Sequence, residues 1–163
     1  MELESFLEQL QDSNPFFQFF GVMLVAMIPF LEGYFAVPLG IAVGFSPLLT
    51  ISAAIVGNWL SVMAVILASD RFRQWMQGRG KSQKAQEKEN KRWQKGQKMF
   101  HKYGVPGVSL LGPLLIGDHL AALICIASGA PKRSVVLWQT IAIVVWAVGT
   151  GILVLLGLSA INA

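Results

Sequence analysis

Outside residues 1–14 and 70–102, this 163-residue chain carries only four charged side chains: Glu32, Asp118, Lys132 and Arg133. A soluble domain coats itself with charge on about a quarter of its residues, against 13% here. Long apolar stretches of this kind exclude an ordinary soluble enzyme. They also exclude a nucleic-acid-binding module, despite the net charge of +4, because the excess base is confined to one segment. The pattern is that of a small polytopic membrane protein.

The charges that exist are sorted by position. Residues 1–14 hold Glu2, Glu4, Glu8 and Asp12 and no base, whereas residues 70–102 hold eleven bases and three acids. Loops rich in Lys and Arg stay on the cytoplasmic side. The expectation is a multi-pass protein of the cell (plasma) membrane with residues 70–102 as a basic cytoplasmic loop against anionic lipid, Trp93 in the headgroups and the lysines on the phosphates. Cys125 is the only cysteine, so no disulfide within the chain is available.

Hydrophobic patterning divides the chain further. Leu3, Phe6, Leu7 and Leu10 mark an amphipathic surface helix over 1–14. Asn14 and Pro15 then read as the cap and first position of a new helix. Residues 15–69 form a first repeat, an apolar segment over 16–47 and an uncharged transmembrane helix over 48–69. Residues 103–163 form a second, an apolar segment over 103–131 and a transmembrane helix over 134–157. Segments of 32 and 29 residues are too short for two full crossings of about 20 residues each plus a turn. Each is therefore read as a re-entrant helical hairpin, broken at Pro29, Gly33 and Pro38 in the first and at Pro113 and Gly117 in the second. Irregular backbone at that depth requires protein or a water-filled cavity around it.

The spacing Pro29-x3-Gly33-x13-Pro47 recurs as Pro113-x3-Gly117-x13-Pro131. The opposed charge at the two starts makes the repeats inverted, the organisation of alternating-access transporters. The fold class expected is thus an all-α integral membrane protein of two inverted repeats, each a re-entrant hairpin plus a transmembrane helix.

Glu32 and Asp118 are the only carboxylates in apolar segments, and each adjoins a hairpin glycine. An ionisable group at membrane depth is a functional candidate by default, here for carrying protons or binding a cation. His119 is a candidate relay member beside Asp118. Asn58, in the middle of a span, must find a partner on a neighbouring helix or in a cavity. No metal site is expected, since His119 lacks companion ligands. No nucleophile with a base and no phosphate loop is present, so neither catalysis nor a cofactor is expected.

The run from Leu31 to Ile41, Leu-Glu-Gly-Tyr-Phe-Ala-Val-Pro-Leu-Gly-Ile, the run from Tyr103 to Leu115 and the pair Gly57-Asn58 resemble the small multidrug export protein family. That resemblance, over roughly residues 16–157, implies an integral membrane protein named for drug efflux. The family looks distantly similar to the DedA-type membrane proteins, which implies paired re-entrant hairpins and an association with flipping lipid phosphates. Tyr34 stands where the broader pattern has arginine, and Gly117-Asp118-His119 departs from the Pro-Gly-Thr-Gly of many relatives.

The leading expectation is a proton-coupled exporter of a small amphipathic or cationic molecule, centred on Glu32 and Asp118, with Tyr34, Asn58 and His119 as further contacts. An alternative is a flippase of a lipid-linked phosphate, for which Lys132 and Arg133 are the anion contacts. A third reading is a non-transporting membrane assembly factor docking through its basic loop. Shielding of the hairpin backbone leads to an expected homodimer, and Gly149-x-Gly151 is a small-residue surface on which a hairpin or that second subunit would approach closely.

Overall fold

A computed structural model describes residues 14–69 and 83–161. The surface helix expected over 1–14 and the first part of the basic loop lie outside the described residues. Among the described residues six helices run in order: α1 Pro15–Met27, α2 Glu32–Ala42, α3 Pro47–Leu67, α4 Gln83–Leu115, α5 Asp118–Ala127 and α6 Lys132–Ile161. No strand occurs among the described residues. Among the described residues two helices, α3 with 21 residues and α6 with 30, are long and apolar enough to cross a membrane.

Local chemistry explains the helix ends. The Asn14 side chain accepts from the Phe16 N–H at 3.0 Å and Pro15 occupies the first turn, so α1 starts where the cap and proline put it. At the far end of α2, Gly44 has φ 96°, its N–H bonds the Ile41 carbonyl and the Phe45 N–H bonds the Gly40 carbonyl. At the far end of α5, Gly129 has φ 86°, its N–H bonds Ile126 and the Ala130 N–H bonds Cys125. Both are the glycine cap that closes the orphan carbonyls of a last turn. Each leads to a proline, Pro47 or Pro131, at the head of a long helix.

The chain divides into two compact units, Met1–Leu60 with Ile143–Ala163, and Ser61–Ala142. In the first, α1 and α2 pack together against α3 and the later part of α6. Its core is Val22, Ala26, Ala36, Val37, Ile41, Ala53, Ala54 and Ala147. Small side chains let the backbones approach closely. The tightest approach is at Gly57, where a Cβ would lie 2.9 Å from the Met23 carbonyl carbon of α1.

In the second unit, α4 is bent at Gly104, whose φ of 64° and ψ of −162° are open to glycine and strained for other residues. The arm beyond the bend packs against α5, with Gly112 so near Ala121 that a Cβ there would stand 2.7 Å from the alanine methyl. Before the bend, Gly96 faces the Ile116 and Ile124 side chains. Enclosed on these sides, α5 is buried at every position from Asp118 to Cys125.

The hairpin breaks expected at Pro38, Pro113 and Gly33 differ from what is found. Pro38 lies inside α2, and Pro113 lies in the last turn of α4, so neither breaks its helix. A proline forfeits one backbone hydrogen bond and crowds the preceding turn, a cost neighbouring helices can meet in an apolar bundle. Gly33 is likewise the second residue of α2 and not a break. The Gly149-x-Gly151 surface, expected to admit a hairpin or a second subunit, is half covered within its own unit. A Cβ at Gly151 would meet Ile51 at 2.6 Å and Val37 at 3.4 Å within the same unit, whereas nothing lies within 4 Å of one at Gly149.

Candidate functional site

In the first unit the chain turns between α1 and α2 through Ile28–Leu31, with Pro29 in the turn. Phe30 has φ 75° and Glu32 φ 49°, the left-handed region that non-glycine residues enter at a cost of about 1–2 kcal/mol each. The Leu31 and Glu32 N–H groups both bond the Ile28 carbonyl at 3.1 Å, closing the turn. Glu32 is thereby delivered, fully buried, as the first residue of α2. A carboxylate there meets the positive end of the helix dipole and its unsatisfied N–H groups, which makes burial of an acid tolerable.

The start of α2 rests on α3. A Cβ on Gly33 would lie 3.6 Å from Asn58 Nδ2 and 3.6 Å from the Ala54 carbonyl oxygen. Asn58 is 1% exposed, so this unit brings a buried amide beside the backbone that carries Glu32. Tyr34 is half-buried, its ring 5.0 Å from that of Phe35.

In the second unit the break before α5 is at Gly117, with φ 92° and ψ 152°. The Ile116 and Gly117 N–H groups both bond the Gly112 carbonyl at 2.8 Å. Asp118 follows as the first residue of α5, 1% exposed. His119 is also buried, and its Nε2 lies 3.0 Å from Ser61 Oγ, a hydrogen bond whose donor depends on the tautomer. Lys132 and Arg133 are both exposed at the start of α6. Among the described residues no group of three or more His, Cys, Asp or Glu is gathered to hold a metal ion.

Each unit thus buries one carboxylate at the first position of a short helix that follows a chain break. A family sequence pattern, described as that of a putative small multi-drug export protein, matches residues 32–148, a stretch that contains both carboxylates. The chain belongs to that family. The family is named for export, that is for transport, which accords with two helices among the described residues long and apolar enough to cross a membrane. No curated protein and no solved structure matches the chain.

Sequence reasoning passed over two polar side chains, the half-buried Ser61 and the buried Gln139. Ser61 pairs with His119 across 58 positions of sequence, which no local pattern reveals. Gln139 of α6 is fully buried and neither its Nε2 nor its Oε1 has a hydrogen-bond partner. Its signal was present, since it is the only amide in the uncharged stretch 134–157. The criterion applied to Asn58 would have selected it.

Proposed function

We propose that the protein exports a small amphipathic or cationic compound across the plasma membrane by proton-coupled alternating access, with Glu32 and Asp118 exchanging protons for substrate. The observation that carries the reading is the matched placement of the two acids, each buried and each opening a short helix after a break. A buried carboxylate at a helix start is held by N–H groups and the dipole when charged. It still favours a cationic partner, because charge in a low-dielectric site is costly unless paired. Asn58 beside the Glu32 backbone and the His119–Ser61 pair beside Asp118 supply polar contacts for substrate or for a relayed proton.

In this reading α1 with α2, and the arm of α4 beyond Gly104 with α5, are two re-entrant hairpins related as inverted repeats. Helices of 13, 11 and 10 residues reach about 15–20 Å, well short of the roughly 30 Å hydrocarbon core. The matching glycine caps at Gly44 and Gly129 support the repeat, as does the enclosure of α5 by protein. The flippase alternative draws less support, because the cations it needs, Lys132 and Arg133, are exposed at the head of α6.

The test is transport in vesicles by Glu32→Gln and Asp118→Asn, which keep size and hydrogen bonding and delete the charge. Both variants are expected to fold, to lose substrate-driven proton movement and to lose the pH dependence of export. Export by Glu32→Gln at the parental rate with an unchanged pH profile would refute the carboxylate mechanism.

A further inference from the structure

The exposed lysines of α4 share one face, while Arg92 lies half-buried on the packing side. Lys91, Lys95, Lys98 and Lys102 are all exposed, and their spacing of 4, 3 and 4 residues holds them within about 60° of one another at 100° per residue. In sequence the same spacing extends back through Lys88 and Lys84. The packing face is elsewhere on the helix: Gly96 sits against Ile116 and Ile124, and Met99 is 8% exposed. The remaining exposed face, about 100° round from the lysines, carries Gln94, Gln97 and His101. Solubility alone gives no reason for the exposed lysines to gather on one flank.

We infer that this lysine face is a docking surface for anionic lipid headgroups. Three further observations choose lipid as the occupant. The charge stops at Lys102, two residues before the Gly104 bend, and the arm beyond it, Val105–Leu115, is uncharged. The lysines therefore stand at the boundary between polar and apolar chain, the level at which membrane phosphates lie. Trp93 and Tyr103 border the packing face, and such rings settle at the membrane–water interface. Lys102 lies over the Tyr103 ring, Nζ 4.9 Å from its centroid, and a hydrogen bond to Tyr103 raises the Lys102 pKa above its ordinary value. The flank of Gln94 and Gln97 is then left to the aqueous side. The inference rests on the chain being a membrane protein and is independent of what it transports.

The test is lipid selectivity of the reconstituted full chain, read as the relative association of spin-labelled phosphatidylglycerol over spin-labelled phosphatidylcholine in phosphatidylcholine vesicles. The parental protein is expected to prefer the anionic lipid at low salt and to lose that preference in 1 M salt, where the Debye length falls to about 3 Å. A lysine near an anionic surface contributes about fivefold in association. Replacing Lys91, Lys95, Lys98 and Lys102 together by Gln is therefore expected to lower the selectivity at least fivefold. Replacing Gln94 and Gln97 by Ser is expected to leave it unchanged. Because all six positions are exposed, the circular dichroism of every variant should match the parent. Parental selectivity in the four-lysine variant would overturn the inference. So would absence of anionic preference in the parent while the same stripe binds RNA or an acidic protein.

Discussion

Gly57→Ala isolates the contact that seats α1 on α3. A methyl carbon at this position would lie 2.9 Å from the Met23 carbonyl carbon and 3.0 Å from its Cα, with the carbonyl oxygen closer still. The obstacle is backbone in the interior of α1, so no rotamer change relieves it and the two helices must separate. Two effects oppose each other. Alanine in a helix interior is favoured over glycine by about 1 kcal/mol, whereas overpacking a close contact costs about 1–3 kcal/mol. With rigid backbone on the receiving side the cost sits at the upper end, for a net loss of about 2 kcal/mol. On the scale of globular domains that lowers the melting temperature by roughly 4–8 °C. The displacement also moves Asn58, the next residue, away from Gly33 and the start of α2, so transport falls together with stability. Gly149→Ala is the control, since nothing lies within 4 Å of its Cβ and it gains propensity without a clash. Thermal unfolding of the purified protein in mild detergent separates the two. If Gly57→Ala melts as high as Gly149→Ala, the close approach of α1 to α3 is wrong.

Three shorter predictions concern the breaks and the buried polar groups. Phe30→Gly is expected to be more stable than Phe30→Ala by about 1 kcal/mol in a melting comparison, because both lose the ring but only glycine accepts a φ of 75° without strain. An equal pair would show that the turn relaxes. Ser61→Ala should cost about 1 kcal/mol for the lost hydrogen bond to His119, and the imidazole nitrogen resonances of His119 should shift in the same sample; resonances that stay in place would mean the pair is not formed. Gln139→Leu should raise the melting temperature, since a buried amide with both polar atoms unpartnered is destabilising by about 1–3 kcal/mol. Transport that falls while stability rises would mark the amide as serving substrate, and a lower melting temperature would show that Gln139 has a partner.

The long apolar helices were legible because absence of charge over some twenty residues is a strong signal, and α3 and α6 lie where stretches 48–69 and 134–157 were read. The start of α1 was equally plain, since Asn14 and Pro15 act through their immediate neighbours. Prolines misled. Pro38 and Pro113 look like breaks to any local rule, yet the helices pass through them, while the true turn at Phe30–Glu32 is made by non-glycine residues in a conformation that their identity argues against. The buried acids could be named from sequence because a lone carboxylate in an apolar run is conspicuous. Which groups face them could not, as the approach of Asn58 to Gly33 and of Ser61 to His119 depends on how helices dock.

The 30 residues of α6 are about 45 Å of helix, and after Arg133 no charged residue marks where the apolar stretch should stop. A hydrocarbon layer of about 30 Å cannot hold that length upright. To fit, the helix would lean by roughly 45°, past the usual 0–40° range, unless the bilayer thickens around it or the last turns run along the interface. All three adjustments depend on membrane thickness, at a cost of a fraction of a kcal/mol per ångström of mismatch. The acyl-chain length of the surrounding lipid thus becomes a control on this chain, and longer-chain lipids should suit it better than short ones.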